Sequence, residues 1–228
     1  MQRRPESVKK ERREEKRNRI LSEAGKLFIA NGIESTKIID IAKASGMAKG
    51  TVYEYFESKD DIVIEWMSGT FEKFRSELMK KIECETDTLS KLKTFFEHSA
   101  NAFSNIMINA KVLIHDKGIE KYSRFPIADS MEKAVEDKVV MLVIENLSKQ
   151  HKLLKSIIYE GQREGRFRKD INVEIIPFFM MSILPFLGML HNSDFPASYL
   201  KEKFELTGIE WTSEEVVNYI VDGIGKKS

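Results

Sequence analysis

Apolar residues recur along this chain at intervals of three and four, and no run suggests a strand, which predicts an all-α protein. Ile20, Ala24, Leu27 and Phe28 open the pattern, and Asn31-Gly32 stops that first helix. Ile38, Ile41 and Ala42 then share one face of a short helix, with Thr36 as its expected N-cap. Gly46 follows, able to take the left-handed conformation that ends a helix within one residue. A second short helix is predicted over Ala48 to Phe56, with Val52 and Phe56 inward and Lys49, Thr51, Tyr53 and Tyr55 left to a partner. Ser58 and Asp61 form a capping pattern that opens a longer helix, striped by Met67, Phe71, Phe74, Leu78 and Ile82.

Beyond it, Asp87 or Thr88 begins a helix carrying Leu89, Leu92, Phe96, Phe103 and Met107 at helical spacing. A shorter segment reaches about Gly118, and Pro126 marks a loop. Residues 127 to about 164 fit one long helix through Met131, Val135, Val139, Leu142, Leu154 and Ile158, with His151 as the place for a break. Gly165-Arg166-Phe167 closes it. Ile175 to Leu190 is the most apolar stretch. At 16 residues, with Pro177, Pro185 and Gly188 inside it, it falls short of the roughly 18 to 20 residues that a membrane span requires. A helix apolar all round in a soluble protein must be buried on every side, so this one is expected at an interface with a partner. Thr212 with Glu215 opens a last helix bearing Val216, Ile220 and Ile224.

A helix, a sharp glycine turn and a short polar-faced helix together make a helix-turn-helix, which places its second helix in a DNA major groove. The same stretch, Thr36 to Lys59, resembles the DNA-binding segment of the TetR family of bacterial transcriptional repressors. Thr36, Ile41, Ala42, Gly46, Gly50, Thr51, Tyr53, Tyr55, Phe56, Lys59 and Ile62 meet that family's pattern at its fixed spacing. The resemblance covers about residues 14 to 74. It implies a three-helix head over residues 1–59 and a helical effector-binding and dimerisation domain over residues 60–228, with a fourth helix joining them. It also implies a homodimer paired through helices near 172–191 and 213–225.

Carried over onto matching positions, the resemblance marks Thr36, Thr51, Tyr55 and Lys59 as phosphate contacts. It sets Met47, Ala48, Lys49, Gly50 and Tyr53 at or near base edges, and Lys37 joins the contacting set. Lys49 is the candidate for a guanine contact, because its ammonium can face two acceptors there. Gly50 either lets the backbone approach DNA or answers helix-start sterics. Ala48 stands where many relatives have Ser or Thr, and can touch a thymine methyl instead. Glu54 either accepts from a cytosine amine or points away.

Charge supports the division. Residues 1–59 hold 14 Lys plus Arg against 9 Asp plus Glu, and the remainder 23 against 27. The basic run from Arg3 to Arg19, interleaved with glutamates, suits phosphates, a minor-groove arm or a solvated helix. A chain 42% hydrophobic and 32% charged is globular and large enough for a sizeable core. Its N-terminus lacks the apolar run of a secretory signal, and a cytoplasmic protein is expected.

Sites of reaction chemistry are not found. Cys84, as one cysteine, forms no internal disulfide or cysteine zinc site, and His98, His115, His151 and His191 lack metal-ligand spacing. No cofactor and no enzymatic activity are expected. Trp66, Phe96, Phe103, Met107, Phe125, Tyr159, Phe178 and Met181 are candidates to line an apolar effector pocket, or else they are core. The function implied is a repressor released from a pseudo-palindromic operator by a small hydrophobic or amphipathic effector. An activator or ligand-independent regulator is the nearer alternative, and a lipid carrier or enzyme the distant one.

Overall fold

The computed structural model describes residues 6–114, 138–184 and 213–225. These form α1 (Glu6–Asn31), α2 (Ile38–Ser45), α3 (Lys49–Tyr53), α4 (Lys59–Glu83), α5 (Thr88–Ile114), α6 (Lys138–Arg163), α7 (Ile176–Ser182) and α8 (Ser213–Ile224). Besides turns, the described residues add an isolated antiparallel bridge between Phe167 and Gly225. The protein is all-α. Its chain divides into two compact units, residues 1–71 with 109–142, and residues 72–108 with 143–228, so the division falls inside α4, α5 and α6.

In the first unit, Ile20, Ala24 and Phe28 of α1 repeat every fourth residue and meet Ile41 and Ala42 of α2, Val52 of α3, Phe56, and Ile62 and Val63 of α4. All nine are buried, with Met47, Tyr55, Trp66 and Val139 packed at the margin. The cap of α4 is as expected: Ser58 N–H donates to Asp61 Oδ2 (2.9 Å) and Asp61 N–H to Ser58 Oγ (3.1 Å). The cap of α2 is not Thr36. That helix starts one residue later, with Lys37 as N-cap, whose N–H donates to Asp40 Oδ2 at 3.2 Å. Thr36 turns inward, 2% exposed, and its hydroxyl donates to the Gly32 carbonyl at 2.7 Å. Gly32 sits at φ 86°, and this left-handed turn folds the chain back so that the threonine meets the end of α1.

In the second unit, Leu78 and Ile82 of α4, Leu92, Phe95, Phe96 and Ala100 of α5, and Leu154, Ile157 and Ile158 of α6 build one core, closed by Phe167, Met180, Leu184, Val221 and Ile224. Asp87 caps α5, accepting from the N–H groups of Leu89 and Ser90, each at 3.0 Å. α5 is tied to α6 by Lys91 to Glu160 (2.8 Å) and by Thr88 Oγ1 to Glu164 (3.1 Å). α5 runs on to Ile114, where a shorter separate segment is expected from the sequence, and α6 continues through His151 without a break. At the end of α6, Gly165 at φ 72° closes the helix, with Arg166 N–H bonded to the Gly161 carbonyl at 2.8 Å. Phe167 then lays its ring on Gly161, and Arg168 N–H donates to the Ile224 carbonyl (2.9 Å), which fastens this turn to α8.

Several expectations lie outside the described residues: the loop at Pro126, Met131 and Val135 of the long helix, residues 185–190 of the apolar stretch, and the Thr212 cap. Among the described residues of that stretch lies the seven-residue α7. No helix among the described residues is long and apolar enough to cross a membrane.

Candidate nucleic-acid interface

The turn between α2 and α3 fixes the surface that the helix-turn-helix presents. Gly46 adopts φ 67°, its N–H donates to Lys43 O (3.1 Å), and Met47 N–H reaches Ala42 O (2.8 Å), so two of the four orphan carbonyls at the end of α2 are satisfied within two residues. The last residue of α2, Ser45, is fully buried and bonds its hydroxyl to Ile41 O at 2.8 Å. Ala48 then caps α3 through its carbonyl, which accepts from Thr51 N–H (3.0 Å), with no side-chain hydrogen bond at that end.

α3 is only five residues long, followed by one more turn in which Phe56 N–H bonds Val52 O at 3.0 Å. Val52 and Phe56 face the core, 0% and 3% exposed. The opposite edge is open. Ala48, Lys49, Gly50, Tyr53 and Glu54 are exposed, while Met47, Thr51 and Tyr55 are half-buried. The Lys49 ammonium lies 5.8 Å from the centre of the Tyr53 ring, and the Arg13 guanidinium 5.9 Å from that of Tyr55. Nothing stands within 4 Å of where a β-carbon on Gly50 would be, and its φ is not in the left-handed region. Helix-start sterics therefore do not demand this glycine.

Beside α3, a concavity of about 480 Å³ is walled by Glu15, Lys16 and Arg19 of α1 and by Ser45, Gly46, Met47, Ala48 and Thr51. Arg19 reaches over the turn, its guanidinium 3.2 Å from the position of a β-carbon on Gly46. Lys37 is exposed. Lys59 spends its ammonium on the carbonyls of Ile33 (2.9 Å) and Glu34 (3.3 Å), fastening the α1–α2 connection to the start of α4. Two candidate contacts thus differ from the rest: Thr36 has its hydroxyl buried and donating within the protein, out of reach of a phosphate, and Lys59 is engaged at the edge of the surface. Arg17 also departs from the solvated basic run. It forms an ion pair with Glu65 of α4, a partner 48 residues away that no local spacing signals.

Side chains are described for five of the pocket candidates, and their surroundings differ. Trp66 belongs to the first unit, edge-on to Phe28 with ring centres 5.4 Å apart. Phe96 is fully buried core against Phe95. Met181 packs on the second unit's core, whereas Tyr159 and Phe178 are 60% and 65% exposed. Phe178 covers His151, ring centres 4.2 Å apart. Phe103 and Met107 lie on α5, with side chains outside those described, and Phe125 lies outside the described residues. A second concavity, about 410 Å³ and walled by Lys80, Lys81, Cys84, Glu85, Thr94, Glu97, His98 and Asn101, contains none of these eight. No cluster of three potential metal ligands occurs among the described residues.

Comparison with known proteins agrees with this geometry. Residues 20–66 match the family described as bacterial regulatory proteins, tetR family. The transcriptional repressor KstR2 of Mycolicibacterium smegmatis is 25% identical over 172 residues, covering 72% of this chain and 74% of its own length. Among solved structures, a transcriptional regulator from Saccharomonospora viridis in complex with choline superposes with a TM-score of 0.66 at 19% identity, covering 94% of this chain and all of that one. AibR, solved with isovaleryl coenzyme A and operator DNA, gives a TM-score of 0.57 at 13% identity, covering 92% and 98%. Helix-turn-helix, matched segment and fold coincide: residues 20–66 carry the DNA-binding segment of the tetR family of bacterial regulatory proteins, and the chain is similar in sequence and fold to transcriptional regulators of that type.

Proposed function

We propose that the protein is a homodimeric repressor that reads a pseudo-palindromic operator through α3 and leaves it when a small hydrophobic or amphipathic effector binds. The observation that carries the reading is the two-sided α3, with Val52 and Phe56 sealed inward and Ala48, Lys49, Gly50 and Tyr53 free along the outer edge. In this reading Met47, Ala48, Lys49, Gly50 and Tyr53 approach base edges, while Thr51, Tyr55 and Lys37 meet phosphates and Lys59 supports them from the rim. Phosphate contacts supply most of the affinity, which therefore falls steeply with salt.

Dimerisation is supported by the apolar surface of the second unit. Ile175, Phe178 and Phe179 flank or belong to α7, Tyr219 belongs to α8, and all are more than half exposed. Aromatic rings left this open on adjoining helices fit a surface that a second copy covers. Two heads held in this way would reach half-sites about 34–36 Å apart. The similar KstR2 protein is named a repressor, which favours repression over activation. Effector contacts are sought among the apolar candidates named from the sequence. The two solved neighbours hold chemically unlike ligands, choline and a coenzyme A thioester, so the effector class rests on the apolar character of those residues.

A band-shift on the DNA upstream of the protein's own gene tests the reading. Salt-sensitive, sequence-specific binding is expected, abolished by the double change K49A/Y55A while dimerisation persists. Its absence in the unaltered protein would remove the regulator reading, and normal binding by the double variant would remove the site assignment.

A further inference from the structure

Arg17 stands on α1 among exposed cations, Arg12, Arg13, Lys16 and Arg19, yet its own side chain is turned to three other parts of the head. Its Nε donates to Glu65 Oε1 at 2.7 Å and its Nη2 donates to Oε2, a two-pronged fork onto the second turn of α4. Nη1 points at the Tyr55 carbonyl at 3.4 Å, and the guanidinium lies 4.7 Å from the centre of the Phe56 ring. Tyr55 and Phe56 are the residues that end the α3 turn. A single side chain therefore joins α1, α4 and the trailing end of the reading helix. Its donors are directed at protein acceptors and its charge is balanced by a carboxylate.

We infer that the Arg17–Glu65 pair is a positioning device for DNA reading: it fixes Tyr55 and the end of α3 against α1 and α4, and Glu65 withholds the charge of Arg17 from DNA phosphates. The inference rests on the reading of α3 as the DNA-contacting helix. It sets Arg17 apart from its neighbours on α1, since a cation that touches phosphate releases counterions and one that is already neutralised does not. It also gives Glu65 an active role, because its removal frees a cation next to Tyr55.

The two roles separate in the salt dependence of binding, measured on the full chain with its operator and with a scrambled duplex. If Arg17 positions, R17Q lowers operator affinity by about tenfold, within the range of coupled pairs, while the slope of log K against log salt keeps its value. E65Q acts oppositely: it steepens that slope by up to about 0.9 and narrows the ratio of operator to scrambled binding. The exchanged pair, R17E with E65R, recovers operator affinity to within about threefold, as expected of an interaction whose two members couple. R17K keeps the charge and loses the fork, and gives an intermediate loss at unchanged slope. Thermal unfolding of each variant separates loss of fold from loss of positioning, and the exchanged pair and R17K carry the test if R17Q does not fold. A slope shallower by about 0.9 in R17Q would make Arg17 a phosphate contact and overturn the inference. Operator affinity unchanged in R17Q or R17K would overturn it equally. If the unaltered protein does not distinguish operator from scrambled DNA, the fault lies with the reading of α3, a different and visible failure.

Discussion

The indole of Trp66 occupies the space that a side chain on Gly25 would need: its Cδ1 stands 2.7 Å from where a β-carbon would be. Contacts under about 3 Å are not made by real β-carbons, and backbone or ring must shift to relieve them. G25A should therefore destabilise the head by about 1–3 kcal/mol, the usual cost of overpacking. Chemical unfolding followed through tryptophan fluorescence would show it, and W66F in the same background should recover part of the loss.

Gly50 has no such neighbour, and its consequence runs the other way. Alanine there meets open space at an ordinary φ, and it reduces the freedom of the unfolded chain. G50A should raise stability by about 0.4–1 kcal/mol while weakening operator binding, because the added methyl stands between backbone and DNA. Melting curves and band-shifts on one preparation give both numbers. A stabilised variant that binds as well as the unaltered protein would remove Gly50 from the interface.

In the proposed dimer, Tyr219 and Phe178 lie against the second copy. F178E with Y219E should produce a soluble monomer by analytical ultracentrifugation, its helix content retained because both side chains are more than half exposed in a single chain. Operator affinity should then fall by orders of magnitude, since one head holds one half-site. A variant that stays dimeric would move the interface elsewhere.

His98 makes the second unit sensitive to acid. Partial burial pushes its pKa below the ordinary imidazole value, against the opposing effect of its hydrogen bond to the Phe74 carbonyl, and Lys81 adds to the lowering. The unfolded chain then takes up a proton before the folded one, so stability falls as pH drops through about 6.5 and is regained above it. Water reaches part of the ring and keeps the effect small. Unfolding midpoints between pH 7.5 and 5.5 should decline less in H98Q than in the unaltered protein, and parallel declines would rule His98 out.

Features legible in the sequence were those whose cause lies within a few residues. Ser58 with Asp61, Asp87 before Ser90, and the left-handed Gly46 and Gly165 each close a helix end with partners at most five positions away. Thr36 shows the limit of that locality. Threonine is a good cap, but the turn at Gly32 carries its hydroxyl to α1 instead. Helical stripes show that a residue faces inward, not what it faces: Trp66 and Phe96 are both aromatic residues of long helices, and one packs in the head while the other fills the body's core. The Arg17–Glu65 pair was beyond reach, because a charge run looks the same whether or not one member finds a carboxylate 48 residues on.

A helix of five residues cannot hold its shape alone, since nucleation costs more than so few hydrogen bonds return. α3 borrows its form from Val52 and Phe56, and these are not the residues that face outward. Scaffold and vocabulary are thus written in separate positions. If α3 is the reading helix proposed above, exchanging the exposed side chains at Ala48, Lys49 and Tyr53 changes the target sequence at little risk to folding, whereas the same α3 cut out as a peptide would have no shape with which to read anything.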